Sequence, residues 1–268
     1  MKKISYLFAI LIFTSCQKEN IDEIPSYLKI NDIILDEGNI TSNITDAWVY
    51  IDDQLQGVYE LPAEFPVLNK GMQSIRVKAG IKANGIASSR IAYPFYSSYY
   101  IDTNLVPNNT TSITPVVEFN REEEDIFVED FEGIGINLDS DSLSFTTENS
   151  GQNKYGKITL TDSMYISEIT TDELFNLPQA GAPVILELDY KNNTQFLVGV
   201  YVNYPQSVVQ KDLLWITPKE DWNKIYINLT TTISEGINAT SFKVFVGMKR
   251  DFDLEQNELY FDNLKVVY

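Results

Sequence analysis

The chain has 268 residues, a formal net charge of −18 at pH 7, no histidine and one cysteine. The absence of histidine excludes Ser-His-Asp and Cys-His catalytic systems and histidine-ligated zinc. The excess of acidic residues predicts that neither nucleic acid nor an anionic lipid surface is a partner, because like charges repel each other.

The chain begins with a basic and then an apolar segment. Two lysines are followed by an apolar run at residues 6–13 and by small residues before Cys16, a pattern typical of secretory signal peptides. The segment resembles the lipobox of bacterial lipoprotein precursors. The resemblance implies a signal peptide over residues 1–15, acylation of Cys16 (palmitate being one such acyl group) and a lipidated tether over residues 16–25.

The same resemblance implies a location. It indicates an outer-membrane lipoprotein that its lipid alone holds to the membrane, since no other long apolar run is present. Gln17 stands where an aspartate retains lipoproteins in the inner membrane of some lineages. Two placements stay open, the periplasmic face and the cell surface.

Residues 26–120 carry the pattern of short β-strands separated by turns. Residues 47–51 are rich in β-branched and aromatic side chains, and residues 74–79 alternate between polar and apolar, as a half-buried strand does. Asn84-Gly85 predicts a hairpin turn because both residues tolerate positive φ. We therefore expect a small β-sandwich domain here.

A resemblance supports this expectation. Residues 49–52, followed by Gly57, Pro62 and Gly71, resemble small surface modules of the PEGA or carboxypeptidase-regulatory type. The resemblance implies an immunoglobulin-like or PEGA-like sandwich that positions or bridges other parts of a protein.

Aromatic side chains are concentrated near the end of this region. The rings are those of Tyr93, Phe95, Tyr96, Tyr99 and Tyr100. Five rings so close together exceed what one strand face can bury, and such rings are favoured at interface centres. Two interpretations stay open: a contact patch for a glycan or another envelope protein, and a packed seam between two domains.

Residues 121–126 form an acidic stretch, which we interpret as a solvated linker because blocks of like charge stay solvated. Residues 127–268 then contain about eight short strand patterns, with a single short helical turn expected at residues 170–175. This spacing predicts a second β-sandwich of the jelly-roll kind. The expected fold class is all-β, with two sandwich domains.

The two ends of the second region resemble the terminal strands of galactose-binding-like jelly rolls, the fold of many carbohydrate-binding modules. The residues that carry the resemblance are 128–133 and 258–266, and residues 222–227 resemble a further strand of that fold. The resemblance implies glycan binding and a structural calcium ion held by Glu132 and Asp262. Calcium needs six to eight oxygen ligands, so backbone carbonyls would supply the others. A turn at Asp262 without metal is the alternative.

Sugar binding needs exposed aromatic rings. Trp215, Tyr201 and Tyr204 are the rings that we expect to contact a ligand, whereas Trp222 opens an alternating strand and is expected in the core. Ser142 and Ser163 match the Asp-Ser-apolar acceptor pattern of bacterial O-glycosylation.

A pair of carboxylates is the catalytic arrangement that this composition leaves open. Among 38 acidic residues no two stand out, so we expect a protein that is not an enzyme. The leading hypothesis is a lipid-anchored, glycan-binding lipoprotein. The alternative is a scaffolding lipoprotein that binds another envelope protein.

Overall fold

The computed structural model describes residues 24–36, 41–140, 143–151 and 153–268. The predictions at residues 1–15, Cys16 and Ser142 lie outside the described residues. In the part of the chain that is described, no helix is both long enough and apolar enough to cross a membrane.

The first half of the described chain is built of short strands. They are β1 (Ser26–Ile30), β2 (Ile34–Leu35), β3 (Asp46–Ile51), β4 (Gln54–Glu60), β5 (Ala63–Val67), β6 (Gly71–Lys82), β7 (Arg90–Ala92), β8 (Ser98–Leu105), β9 (Thr110–Ile113) and β10 (Val116–Val117).

These strands form two facing layers, which we call the first sandwich. In one layer β6 pairs with β3, β7 and β8, and β4 extends the sheet beyond β3. The other layer has the order β5-β1-β9, beside a short β10-β2 pair. Alternating apolar side chains such as Leu28, Val49 and Val77 fill the space between them. The predicted small β-sandwich is confirmed, and Asn84 and Gly85 both adopt the positive φ expected of a hairpin turn.

The second half begins with a short 3₁₀ helix and continues almost entirely as strands. The elements are the 3₁₀ helix (Glu123–Asp125), β11 (Ile126–Glu129), β12 (Leu138–Ser140), β13 (Phe145–Ser150), β14 (Asn153–Leu160), β15 (Ile166–Thr171), β16 (Ile185–Asn192), β17 (Phe196–Tyr204), β18 (Ser207–Ile216), β19 (Lys219–Asn228), α1 (Thr230–Glu235), β20 (Ser241–Lys249) and β21 (Asn257–Val267).

Strands β11 to β21 form the second sandwich. One sheet has the order β13-β14-β21-β16-β19, with β11 also paired to β21, and the other has the order β12-β15-β20-β17-β18. Successive strands repeatedly cross from one antiparallel sheet to the other, as in a jelly roll. Large apolar side chains such as Leu188, Val200 and Phe261 fill the core between the sheets. The predicted all-β fold class with two sandwiches is confirmed.

The predicted helical turn at residues 170–175 is wrong. Thr170 and Thr171 belong to β15, and Leu174 forms a β-bridge with Phe242. Backbone pairing with a neighbouring segment therefore outweighs the local signal. The α-helix of the described chain is instead α1, which buries Ile233.

The two sandwiches share buried side chains. Ile185, Tyr226 and Val267 of the second sandwich are buried in the core of the first. Tyr93 lies beside Tyr226, with ring centroids 5.1 Å apart. The acidic segment at residues 121–126 thus connects two sandwiches that pack directly against each other.

Candidate functional site

A large groove lies where the two sandwiches meet. It has a volume of about 1190 Å³. We call it the seam groove and define it by Thr41 and Phe119 of the first sandwich together with Asp189, Trp222, Asp262 and Lys265 of the second. Its floor is the outer face of the sheet that contains β16 and β21. Because both sandwiches contribute to its lining, the groove is a property of the assembled chain.

Strand alternation places charged side chains on this floor. Leu186, Leu188 and Tyr190 of β16 point into the core of the second sandwich. Successive strand residues point to opposite faces, so Glu187 and Asp189 point away from that core. Asp189 lines the groove, whereas Glu187 is buried against Tyr93 of the first sandwich.

A buried ion network holds these carboxylates in place. Lys224 Nζ lies 2.9 Å from Glu187 Oε2 and 3.6 Å from Asp189 Oδ1. Asp189 Oδ2 also accepts hydrogen bonds from Thr41 Oγ1 at 2.5 Å and from Asn263 Nδ2 at 2.9 Å. The floor is therefore preorganised by contacts that cross the seam.

Trp222 lines the groove, and the rings of Tyr155 and Tyr260 cluster beside it. We call Tyr155, Trp222 and Tyr260 the aromatic shelf. The ring of Tyr155 lies 5.7 Å from that of Trp222 and 5.9 Å from that of Tyr260, both in edge-to-face geometry. Lys191 Nζ lies 4.4 Å from the Tyr260 ring centroid. Trp222 lines the groove directly and is 43% exposed.

The expectation that Trp222 lies in the core is wrong. Ile225 and Ile227 are the residues of β19 that point into the core of the second sandwich. Trp222 is an odd number of positions away from both, so the alternation of β19 directs it to the outer face.

The two residues predicted to bind calcium both line the seam groove. Asp262 accepts hydrogen bonds from Asn153 Nδ2 at 2.9 Å and from the Asn263 backbone N–H at 2.7 Å. Glu132 Oε1 accepts a hydrogen bond from the Lys154 backbone N–H at 2.6 Å. No group of three or more Asp, Glu, Cys or His side chains placed to hold a metal occurs among the described residues. The calcium site stays a prediction.

Burial shifts the pKa of two titratable side chains that line the groove. Burial raises the pKa of Asp262, and the nearby carboxylates of Asp189 and Asp130 raise it further, against hydrogen bonds that lower it. Burial also lowers the pKa of Lys265, and the ammonium group of Lys224 adds to that effect. Both shifts indicate a partly dehydrated site that contains interacting charges.

The structure does not bring the three predicted ligand rings together. Trp215 is 49% exposed and does not line the seam groove. It lines two other cavities, one of about 540 Å³ beside Phe252 and one of about 470 Å³ between Asn84 and Tyr226. Tyr201 and Tyr204 are three positions apart on β17, so they point to opposite faces of the strand. Tyr204 packs against the core of the second sandwich.

Tyr201 is further engaged within the protein. Its hydroxyl donates a hydrogen bond to Glu168 at 2.9 Å, and its ring lies 4.9 Å from Phe245. Burial, with a contribution from Glu168, raises the pKa of Tyr201 to about 12. Trp215, Tyr201 and Tyr204 therefore do not form one cluster, and a ligand contact at any of them stays a prediction.

The predicted contact patch is wrong for three of its five rings. Tyr93, Phe95 and Tyr96 are buried in the shared core. Tyr99 is half-buried, and Tyr100 is 63% exposed. The alternative interpretation, a packed seam, describes these rings, because Tyr93 contacts the second sandwich through Tyr226 and Glu187.

Ser163 lies in an exposed turn beyond β14, so its predicted glycosylation stays a prediction. The sequence reasoning missed Tyr155, Lys191 and Tyr260. Their alternation with core residues such as Ile158 and Phe261 was a signal for an outward face. Their proximity depends on strand pairing, which that signal does not contain.

The described chain thus belongs to the class of all-β proteins with two packed sandwiches and a groove at their junction. No family model and no curated protein matches it. Among solved structures, it is similar to a family 11 carbohydrate-binding module from Clostridium thermocellum in complex with a β-1,3-1,4-mixed-linked tetrasaccharide. The identity is 14%, the TM-score is 0.38, and the match covers 53% of this chain and 95% of that one.

Two further solved structures are similar over the same share of this chain. One is a mutant of a family 29 carbohydrate-binding module, at 13% identity and a TM-score of 0.36, with 52% of this chain and 89% of that chain covered. The other contains the xylanase 10B modules of Clostridium thermocellum complexed with xylohexaose, at 11% identity and a TM-score of 0.38, with 53% and 28% covered.

Proposed function

We propose that this protein is a non-catalytic glycan-binding protein that holds an oligosaccharide in the seam groove. The observation that carries the proposal is the aromatic shelf beside a groove of about 1190 Å³. Sugar rings present C–H faces that pack on aromatic rings, while their hydroxyl groups need polar partners. Binding sites generally combine such apolar surfaces with a few fixed polar groups.

The polar groups on the floor support this proposal. Asp262, Asn263 and Asn153 line the groove, and they are already hydrogen-bonded to one another or to the backbone. Fixed partners lose little conformational entropy when a ligand binds, so preorganisation increases affinity.

A non-catalytic role fits the same network. The carboxylate of Asp189 is already engaged by Lys224, Thr41 and Asn263, so it serves as a structural hydrogen-bond and ion-pair acceptor. Incubation with each bound polysaccharide, followed by an assay for new reducing ends, tests this part of the proposal. Turnover that is lost with Asp262→Asn would overturn it.

The binding proposal can be tested with two tryptophans of similar exposure. Trp222 is 43% exposed in the seam groove, and Trp215 is 49% exposed outside it. We expect Trp222→Ala to weaken binding to a polysaccharide from a broad panel by at least about tenfold. Trp215→Ala is the matched control and should bind as the unmodified protein does, as measured by titration calorimetry or affinity electrophoresis.

Other results would contradict the proposal. Loss of binding with Trp215→Ala alone would move the site to one of the two cavities that Trp215 lines. The absence of binding to every polysaccharide in the panel would remove the glycan role. Each variant should first show the unfolding temperature of the parent, because Trp222 also contacts Tyr155.

The proposal also includes attachment of the protein to a membrane by a lipid, and this part is based on the sequence alone. We propose that acylation of Cys16 attaches the glycan-binding region to the outer membrane, as the lipobox resemblance implies. Labelling of cells with a palmitate analogue should mark the native protein and should not mark Cys16→Ser. Equal labelling of both would exclude this attachment.

Calcium at Glu132 and Asp262 is proposed on similar grounds. Both carboxylates line one groove, although each is also hydrogen-bonded within the protein. A rise in the unfolding temperature on addition of calcium, absent in Glu132→Gln, would support the site. An unchanged temperature in the unmodified protein would exclude it.

A further inference from the structure

The charges that line the seam groove do not cancel. Four carboxylates line it, those of Asp130, Glu132, Asp189 and Asp262, together with the ammonium groups of Lys224 and Lys265. Glu187 is buried next to this lining, outside the groove itself, and pairs with Lys224. When all groups are ionised and no calcium is bound, these five carboxylates outnumber the two ammonium groups by three, so three negative charges remain uncompensated.

The two lysines offer little attraction to an incoming anion. Lys224 is buried and already pairs with both Glu187 and Asp189. Lys265 lies across from Glu187 in the register of β16 and β21 and belongs to the same groove lining as Asp130. The charge of Lys224 is therefore already offset by its two partners, and Lys265 is the other cation of a described lining that carries four carboxylates.

The lysines beside the aromatic shelf do not cancel the excess negative charge of the groove. Lys157 beside the aromatic shelf lies 3.2 Å from Glu148 and 3.0 Å from Glu258. Lys191 lies against the rings of Trp222 and Tyr260. An anion that enters along the shelf must therefore approach the uncompensated carboxylates of the floor, in a partly buried space where screening by water is reduced.

From these charges we infer that the seam groove selects uncharged glycans and rejects glycans that carry carboxylate or sulfate groups. The inference rests on the proposed glycan-binding function and specifies the ligand class of that site.

Matched pairs of polysaccharides test the inference on the full chain, in the presence of a chelator that keeps calcium out of the groove. The pairs are hydroxyethylcellulose with carboxymethylcellulose, dextran with dextran sulfate, and methyl-esterified with de-esterified polygalacturonan. In any pair whose neutral member binds, we expect the anionic member to bind at least about tenfold more weakly at low salt, equivalent to about 1.4 kcal/mol. The difference should shrink in about 1 M salt, where the screening length is about 3 Å.

Two double variants separate the local charges from the overall charge. Asp130→Asn with Glu132→Gln removes two negative charges from the groove and keeps an oxygen acceptor at each position. This variant should reduce the difference in affinity between the neutral and the anionic member of a pair. Glu64→Gln with Asp102→Asn removes two charges from the first sandwich, away from the groove lining, and should leave the difference unchanged.

The outcomes distinguish this inference from the function on which it rests. Binding of an anionic member as tight as that of its neutral partner would overturn the inference and leave glycan binding intact. An equal response to both double variants would also overturn it, because overall charge would then account for the selectivity. Failure of all six polysaccharides and of the broader panel to bind would overturn the proposed function, and the inference with it.

Discussion

The hydroxyl group of Tyr93 in the first sandwich donates a hydrogen bond to the buried carboxylate of Glu187 in the second. These residues are 94 positions apart in the chain. Burial, with a contribution from Glu187, holds the pKa of Tyr93 well above its usual range, so this hydroxyl stays protonated as a donor. Through Glu187 the contact reaches Lys224 and the floor of the seam groove. The packing of the two sandwiches and the shape of the candidate site are therefore linked.

Removal of that hydroxyl should destabilise the protein. In Tyr93→Phe the carboxylate of Glu187 loses a hydrogen bond while it remains buried, which typically costs about 1–3 kcal/mol. The free energy of unfolding from urea denaturation measures the loss. Tyr100→Phe changes a ring that is 63% exposed and should alter stability by less than about 0.5 kcal/mol. Equal effects of the two changes would contradict the role given to Tyr93.

Removal of the buried ammonium group of Lys224 should destabilise the protein more than removal of any single hydrogen bond. Lys224→Met leaves Glu187 and Asp189 buried without their ion-pair partner, and breaking such a pair costs about 3–5 kcal/mol. Adding Glu187→Gln and Asp189→Asn to this variant removes the uncompensated charges and should restore part of the loss. Denaturant unfolding of the single and triple variants makes the comparison. A triple variant less stable than Lys224→Met would contradict the electrostatic explanation.

A close approach of β17 to its neighbours requires glycine. A Cβ atom at position 199 would overlap the ring of Phe245 and the backbone carbonyl of Lys211. We expect Gly199→Ala to lower stability by about 1–3 kcal/mol, the usual cost of overpacking a core. Gly133→Ala is the matched control, because nothing lies within 4 Å of its Cβ position. Similar thermal unfolding of the two variants would show that β17 can shift to make room.

The carboxyl group of Asp262 should make stability depend on pH. Its pKa is raised from 3.8, first by burial. The folded protein therefore holds this proton more tightly than the unfolded chain does. The resulting stabilisation is present below pH 3.8 and is lost as the pH rises through the folded-state pKa.

Asp262→Asn cannot ionise, so its stability relative to the unmodified protein should increase as the pH rises from about 4 to 7. Unfolding temperatures of both proteins across that interval make the measurement. A difference that stays constant or changes in the opposite direction would contradict the raised pKa. Bound calcium would favour the ionised carboxylate and reduce the effect, so the series should be repeated with and without a chelator.

Local sequence patterns predicted much of the fold because strand periodicity and turn chemistry act over a few residues. The alternation at residues 74–79 corresponds to part of β6, and Asn84-Gly85 forms the expected turn with positive φ. The helical turn predicted at residues 170–175 does not form, because Thr170 and Leu174 both pair with residues of β20. A pairing partner so distant in sequence is invisible to a local pattern.

The candidate site was less predictable than the fold. Glu132 and Asp262 were expected together and do line one groove. Trp222 was expected in the core, although the alternation of β19 directs it outward. Residue type and sequence neighbours pointed to Trp215 and Tyr201 as ligand-binding rings. Neither property shows whether a ring is already packed or hydrogen-bonded inside the protein.

The sequence by itself determined that this is an acidic, histidine-free, all-β protein with two sandwiches, because composition and strand periodicity are properties of short segments. Only the tertiary structure decided which side chains meet. Tyr155 and Tyr260 become neighbours through the register of β14 with β21, and Trp222 joins them through β16 and β19. Tyr226 and Val267 are buried against the first sandwich, and this packing brings Thr41 and Phe119 into the lining of the seam groove. Register and packing depend on contacts between distant segments, and those contacts form only when the whole chain folds.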